Sequence, residues 1–378
     1  MRNVTERERE EMCRVVRSLQ LPQFETMDRR EAVQECFCRI AKRHRAVGAQ
    51  LVLLPQNGQM EIYSYGRARL HPDVPVTHDT GFRVASITKL VSTFGILSLV
   101  EEGKLSLDED IGEALGYSVR SPEAPGQRIT LRMLLTHTAG LRNIPLAVTD
   151  GPLQGRLSDP AVWRDTAPGD SFLYSNFGAG IVGALAESVA GKYFGEIMQE
   201  RIFEPLHVRA GYGISNYPDK DRVANGYLVL PMLPPMLRYS TDMPGAAVDR
   251  QPGEDYSAIV GRLILDAEGI GRMMEVLLGR TRILREETIR EMLTCQDGIG
   301  GIKAAGRGLN VAFLRDTIPG RSLAGHQGVA YGMCSELFVD TEHQCGVAVM
   351  INGAKLGKMI LKQIGLECLT LGFAALGG

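Results

Sequence analysis

Ser86 and Lys89 stand three positions apart at the mouth of an apolar run, FRVASITKLVSTFGILSLV, residues 82 to 100. From Ile87 onward Leu90, Val91, Phe94, Leu97 and Val100 follow helical spacing, so the run predicts a largely buried helix that ends near Gly103. Ser86 then falls at the helix amino terminus, where unpaired backbone amides and the helix dipole favour negative charge. Lys89 lies one turn on, over the same face. An ammonium in that place lowers the cost of removing the serine proton, which is the chemistry of an activated nucleophile. A capping serine beside a solvated lysine uses the same four residues, and Ser-x-x-Lys alone does not separate the two.

Two further stretches bear on the choice. In APGDSFLYSNFGAGIVGALAESVAG, Tyr174 and Asn176 stand two apart just before a helical run that opens at Phe177. A phenol held close to an ammonium ionises more easily, so Tyr174 could take the Ser86 proton and later pass it to a leaving group. The Asn176 amide both donates and accepts, and could hold Lys89 together with a substrate carbonyl. In LAGHQGVAYG, His326 and Gly328 point to one face of a strand, and a glycine there lets a substrate backbone approach the strand edge. The next amide, that of Val329, could join the amide of Ser86 in binding an oxyanion. Each stretch also has a purely structural explanation: a packed tyrosine, a capping asparagine, a strand histidine beside a bulge.

Other signals carry less. His137, in HTAGL, is assigned to packing near the site. GAGIVG at residues 178 to 183 fits Gly-x-Gly-x-x-Gly, yet it follows FLYSN without the strand-turn-helix unit that would turn those glycines toward a pyrophosphate, so helix packing explains it better than a dinucleotide. Gly-x-Ser-x-Gly does not occur, which disfavours a nucleophile-elbow esterase. The seven histidines are scattered, so no metal and no other cofactor is expected. NVT at residue 3 fits a glycosylation acceptor but has no meaning in a cytosolic chain.

These residues must be positioned by elements that the pattern also outlines. Residues 6 to 45 have helical periodicity, with Ala32, Cys36 and Ile40 on one stripe. AQLVLLPQNGQMEIYSYGRA reads as two strands joined through Asn57-Gly58, a dipeptide suited to a tight hairpin. From about residue 87 to about 290 the pattern is mostly helical, broken by Pro- and Gly-rich connections. Strand signal returns in RGLNVAFL, SLAGHQG, MCSELFVD and CGVAVMING, and a last helical run begins near Lys355. The order predicts an α/β chain of the α+β type, with one antiparallel sheet built from both chain ends and flanked by helices. Residues 1–80 and 295–378 would form the sheet unit, with residues 1–26 as an extra amino-terminal helix, and 81–294 a mainly helical unit. The active site would lie in the cleft between them.

Forty-two Lys and Arg against forty-four Asp and Glu leave a charge of −2, which offers nothing to nucleic acid or an acidic membrane. Small molecules or peptides are the expected partners. No apolar run reaches the roughly 18 residues that span a bilayer. Seven cysteines without the spacing of a disulfide scaffold indicate free thiols and a cytoplasmic protein. The segments around 231–253 and 142–166 hold Met232, Met236, Tyr239 and Trp163, an apolar set expected to wall a pocket.

SITK, YSN and HQG occur in the order and at the distances of the class C β-lactamase and penicillin-binding-protein family of active-site serine hydrolases, which this chain resembles from about residue 35 to its carboxy terminus. LRMLLTHTAGL, APGDSFLYSN, IFEPLHV and CGVAVMING agree with it. The resemblance implies a β-lactamase/transpeptidase-like fold. It makes Ser86 the acylated nucleophile and Lys89 and Tyr174 the proton-handling pair. Asn176 would be the amide that binds lysine and substrate, and His326 and Gly328 would lie on the strand lining the site. β-Lactamases and many carboxypeptidases of the family begin the third motif with a lysine that holds the substrate carboxylate. Here His326 stands there, only fractionally charged near neutral pH. That departure turns the expectation toward an ester, amide or peptide hydrolase. A β-lactamase or D-alanyl-D-alanine carboxypeptidase, or an inactive ligand-binding member, is the alternative.

Overall fold

The computed structural model describes residues 5–24, 28–144, 152–239, 251–254, 256–330, 332–355, 357 and 361–377. Seven antiparallel strands make the main sheet: β1 (Gly48–Leu54), β2 (Glu61–Arg69), β3 (Val74–Pro75), β9 (Ala312–Arg315), β10 (Ser322–Ala330), β11 (Met333–Asp340) and β12 (Cys345–Ile351), side by side in the order β3-β2-β1-β12-β11-β10-β9. β1 and β12 are neighbours at its centre, with Ala49 opposite Ile351 and Leu54 opposite Gly346. The antiparallel sheet drawn from both chain ends is therefore present.

Continuous rather than alternating apolar runs, such as GAQLVLL and CGVAVMI, mark strands covered on both faces, and both are buried throughout. Alternate residues part company. Leu51, Leu53, Val347, Val349 and Phe338 join the core under the terminal helices Arg29–Arg43 and Gln363–Ala375. Val52, Leu54, Ala348, Met350 and Leu337 join the larger core that holds the helices Ile87–Glu101 and Ala267–Leu277. Deleting a fully buried ring such as Phe94 from that core costs about 3–5 kcal/mol.

The structure refines several expectations. Two helices, Glu6–Ser18 and Arg29–Arg43, fill the amino-terminal periodic stretch, with the stripe residues Ala32, Cys36 and Ile40 buried. The Asn57-Gly58 hairpin pairs Leu53 with Glu61, so its connection is longer than a two-residue turn. The last helix is Gln363–Ala375; residues 356 and 358–360, near its expected start, lie outside the described residues. So do 240–250 and 255 of the proline-rich segment, 145–151 of the other connection and residue 3 of NVT.

The helical middle also contains strands that the sequence pattern hid. β4 (Phe82–Arg83), β5 (Ala210–Tyr212) and β8 (Leu263–Leu265) form a small sheet in the order β4-β8-β5, and β6 (Gly226–Leu228) pairs with β7 (Met236–Tyr239). Strands of two to four residues are too short to display alternation. Among the described residues no helix is long and apolar enough to cross a membrane.

Candidate active site

β4 leads directly into the Ser86 turn. Val84 donates to the Leu263 carbonyl, Ala85 takes φ 48°, and Ser86 opens the helix Ile87–Glu101 at φ −69° and ψ −7°. The serine sits at the cap position, yet its side chain makes no capping hydrogen bond. Its Oγ instead accepts from the Tyr174 hydroxyl at 2.8 Å and from Lys89 Nζ at 3.3 Å. Ser86 is thus not serving as a side-chain cap, and Lys89, fully buried, is not a solvated lysine.

Lys89 has no carboxylate partner among the described residues. Its ammonium donates to the Val260 carbonyl at 2.5 Å and lies 5.2 Å from the Tyr174 ring centroid. The segment that supplies Val260 is pressed against the helix Asn176–Ala190, where a β-carbon on Gly180 would stand 1.8 Å from the Tyr256 carbonyl oxygen and one on Gly183 would meet Ile259 at 3.0 Å. The glycines of GAGIVG therefore serve close helix packing, and that packing brings an acceptor to Lys89.

Tyr174 and Asn176 flank Ser175, whose hydroxyl accepts from Gly178 N–H and caps the helix Asn176–Ala190. Asn176 is the first residue of that helix, with its own N–H given to Asn143 Oδ1 at 2.9 Å. Among the described residues no hydrogen bond joins the Asn176 side chain to Lys89. The expected bridge is absent, and the backbone carbonyl of Val260 takes its place.

β10 completes the cluster. His326 is buried, its ring centroid 6.5 Å from that of Tyr174. Nδ1 lies 2.6 Å from the Gln327 carbonyl oxygen, an acceptor, so Nδ1 carries the proton. Burial first, then the positive charges of Lys89 and Arg307, push the His326 pKa well below its ordinary value, and the ring is neutral. Gln327 faces the other way and gives its amide to Glu336 Oε1 at 2.6 Å.

Gly328 has a different reason from the one the sequence suggested. A β-carbon there would stand 2.2 Å from the Val84 carbonyl oxygen and 3.0 Å from the Ser86 nitrogen. The backbone that needs the space is the chain's own turn at Ser86, so β10 runs against that turn at Gly328. Within the described residues the Ser86 N–H donates to no acceptor.

One residue near the site was not legible as such, and another stands closer to it than expected. His137 lies with its ring 4.6 Å from that of Tyr174, nearer than packing in the vicinity had implied. Arg307 places its guanidinium 4.5 Å over the Phe172 ring, two residues before Tyr174, and burial lowers its pKa to about 10 while the Tyr174 charge opposes the shift. Arg307 has no sequence signal, because it joins the site through tertiary contact, and the ring contact of His137 is likewise tertiary. Trp163, expected in a pocket wall, is instead buried with its Nε1 donating to the Leu157 carbonyl; Met232, Met236 and Leu237 of the β6–β7 hairpin are exposed.

A family model described as Beta-lactamase matches residues 33–363. Penicillin-binding protein 4 of Amycolatopsis lactamdurans is 26% identical over 337 residues, 85% of this chain and 84% of that protein. D-alanyl-D-alanine-carboxypeptidase/endopeptidase AmpH of Escherichia coli K12 is 28% identical over 172 residues, 43% of this chain and 44% of its own, so that alignment spans under half of either. Among solved structures, D-amino acid amidase from Ochrobactrum anthropi SV3, in complex with L-phenylalanine amide, superposes with a TM-score of 0.72 at 22% identity, over 92% of this chain and 98% of that one.

Proposed function

The chain belongs to the beta-lactamase family, and from that premise we propose that it is a serine hydrolase that cleaves an ester or amide bond of a small molecule or peptide through an acyl-enzyme on Ser86. The observation that carries the proposal is the three-membered contact at Ser86 Oγ, where Tyr174 and Lys89 both meet the hydroxyl. Ser86 Oγ attacks the substrate carbonyl from the form of the pair in which Tyr174 has given up its own proton beside the Lys89 ammonium, so that the phenolate oxygen takes the Ser86 proton across the same contact. The negative charge then carried by the carbonyl oxygen is met by the N–H groups of Ser86 and Val329. Tyr174 returns the proton to the departing alcohol or amine, leaving an ester on Ser86. Water, giving its proton to the same pair, cleaves that ester and restores the serine.

His326 supports an ester or amide substrate over a β-lactam or a peptide ending in a free carboxylate, because a neutral imidazole replaces a permanent cation in the third motif. Asn176 we assign to the substrate side alone. A cytoplasmic location is supported by seven cysteines that are all free thiols, four of them buried.

The test is intact mass after incubation with a fluorophosphonate probe, run beside Ser86→Ala. One adduct on the wild-type chain, absent from the variant, is the expected result. Equal labelling of both, or none on folded wild-type protein, would remove the proposal.

A further inference from the structure

His137 touches three consecutive residues of the segment that carries Tyr174. Its carbonyl oxygen accepts the Leu173 N–H at 2.9 Å. Its ring packs on the Tyr174 ring at 4.6 Å with a tilt of 46°, and its Nδ1 accepts the Ser175 N–H at 3.3 Å. Phe172, one residue earlier, meets the same imidazole edge-on at 6.0 Å.

These contacts are made from an unusual backbone. His137 has φ 56°, in the left-handed region that few residues with a β-carbon occupy. An Nδ1 that accepts a hydrogen bond leaves the ring proton on Nε2, and that nitrogen is buried with no partner among the described residues. A left-handed residue and an orphaned donor are each unfavourable, and they persist where the surroundings fix the residue for another purpose. The ring must also stay neutral. A proton on Nδ1 would oppose the Ser175 N–H and set a second cation beside Lys89.

We propose that His137 is a positioning residue for Tyr174, holding residues 172–175 so that the phenol remains within hydrogen-bond distance of Ser86 Oγ. The proposal rests on Ser86 being the acylated nucleophile. The phenol reaches Ser86 from a segment outside regular secondary structure. The left-handed turn at His137 aims both its carbonyl and its ring at that segment, and the Ser175 contact fixes the start of the next helix. Displacement of a reacting group by about 1 Å costs roughly a hundredfold in rate, so a clamp at this point acts on turnover rather than on affinity.

The experiment uses the full chain with His137→Asn and His137→Ala. Asparagine tolerates the left-handed region and offers an acceptor near the place of Nδ1, but removes the stacked ring. Fluorophosphonate stoichiometry counts competent sites, and hydrolysis of p-nitrophenyl butyrate gives kcat and KM for each labelled site. In His137→Asn we expect nearly every site to label, kcat per labelled site to fall about tenfold or more, and KM to stay within about twofold. His137→Ala should fall further. In a Tyr174→Phe background His137→Asn should add little, since the group it positions is gone.

An unchanged kcat per labelled site in His137→Asn would overturn the proposal, including the case where the labelled fraction drops, which is what a purely structural histidine predicts. Losses that multiply in the double variant would overturn it as well. Counting per labelled site keeps the test valid when a variant folds only in part. Absence of label on wild-type protein would instead strike the nucleophile assignment, and this inference would fall with it.

Discussion

A β-carbon built on Gly328 would lie 3.0 Å from the backbone nitrogen of Ser86 and 2.2 Å from the carbonyl oxygen of Val84. Strand β10 and the Ser86 turn approach so closely that no methyl group fits between them. Gly328→Ala is therefore expected to push the two apart, with a loss of about 1–3 kcal/mol in stability from overpacking. Activity should fall far more than stability, by about a hundredfold in kcat/KM, because the oxyanion pair proposed for the Ser86 and Val329 amides would be pulled apart. Thermal melts alongside ester hydrolysis would check it; an alanine variant with full activity would contradict the proposed oxyanion pair.

Tyr174→Phe removes the hydroxyl 2.8 Å from Ser86 Oγ and leaves the ring against His137. The expected result is a fall in kcat of about 10²–10⁴-fold, the usual scale for a lost proton carrier. KM should change little and Ser86 should still label, only more slowly. Stopped-flow acylation would separate this from a loss of binding.

Stability should decline in acid through two buried histidines. His137 and His326 both have pKa values held well below the ordinary 6.5, first by burial and then by nearby positive charges that include Lys89 and Arg307. Below pH 6.5 the unfolded chain binds these two protons and the native protein does not. Stability therefore rises with pH up to about 6.5 and is lost as pH falls beneath it, at up to about 2.7 kcal/mol per pH unit from the pair. Denaturant midpoints for wild type and His326→Gln between pH 5 and 7 would test this, the variant losing about half of the slope.

Glu336 works in the opposite sense. It is buried on β11, its Oε2 has no partner among the described residues, and burial raises its pKa well above the ordinary carboxylate value. The native carboxyl stays protonated while the unfolded one ionises above about pH 4.5, so this residue costs stability as pH rises through that value. Glu336→Gln keeps an oxygen for the Gln327 amide and cannot ionise. It should stabilise the protein at pH 7 and change little at pH 4, as differential melting at the two values would show.

The sequence made much of this legible, for physical reasons that can be traced residue by residue. The buried faces of long elements show as period, so the helix after Ser86 and strands β10 to β12 stand where their spacing puts them. Ser86, Lys89 and Tyr174 meet as their motif order implied. What escaped depends on contact across the fold. Val260 as the acceptor for Lys89, the ring contact of His137 with Tyr174 and Arg307 on Phe172 come from loops or a single short helical turn too brief to carry a period. Asn176 was given a bond to Lys89 that the helix start does not supply. The reason for Gly328 was likewise visible only once Val84 lay against it.

The central pairing of β1 with β12 joins residues nearly three hundred positions apart. Closing so long a loop has an entropic cost before the ladder it forms returns any stability, and contacts of such separation slow folding. On a ribosome, β1 must wait with one edge unpaired until the last strands emerge, while the residues between have already been released to fold. His326 and Gly328 arrive in that same late portion of the chain. The site around Ser86 is thus completed only after β10 has been made, and a nascent chain halted before β10 carries its serine, lysine and tyrosine without the strand that would stand beside them.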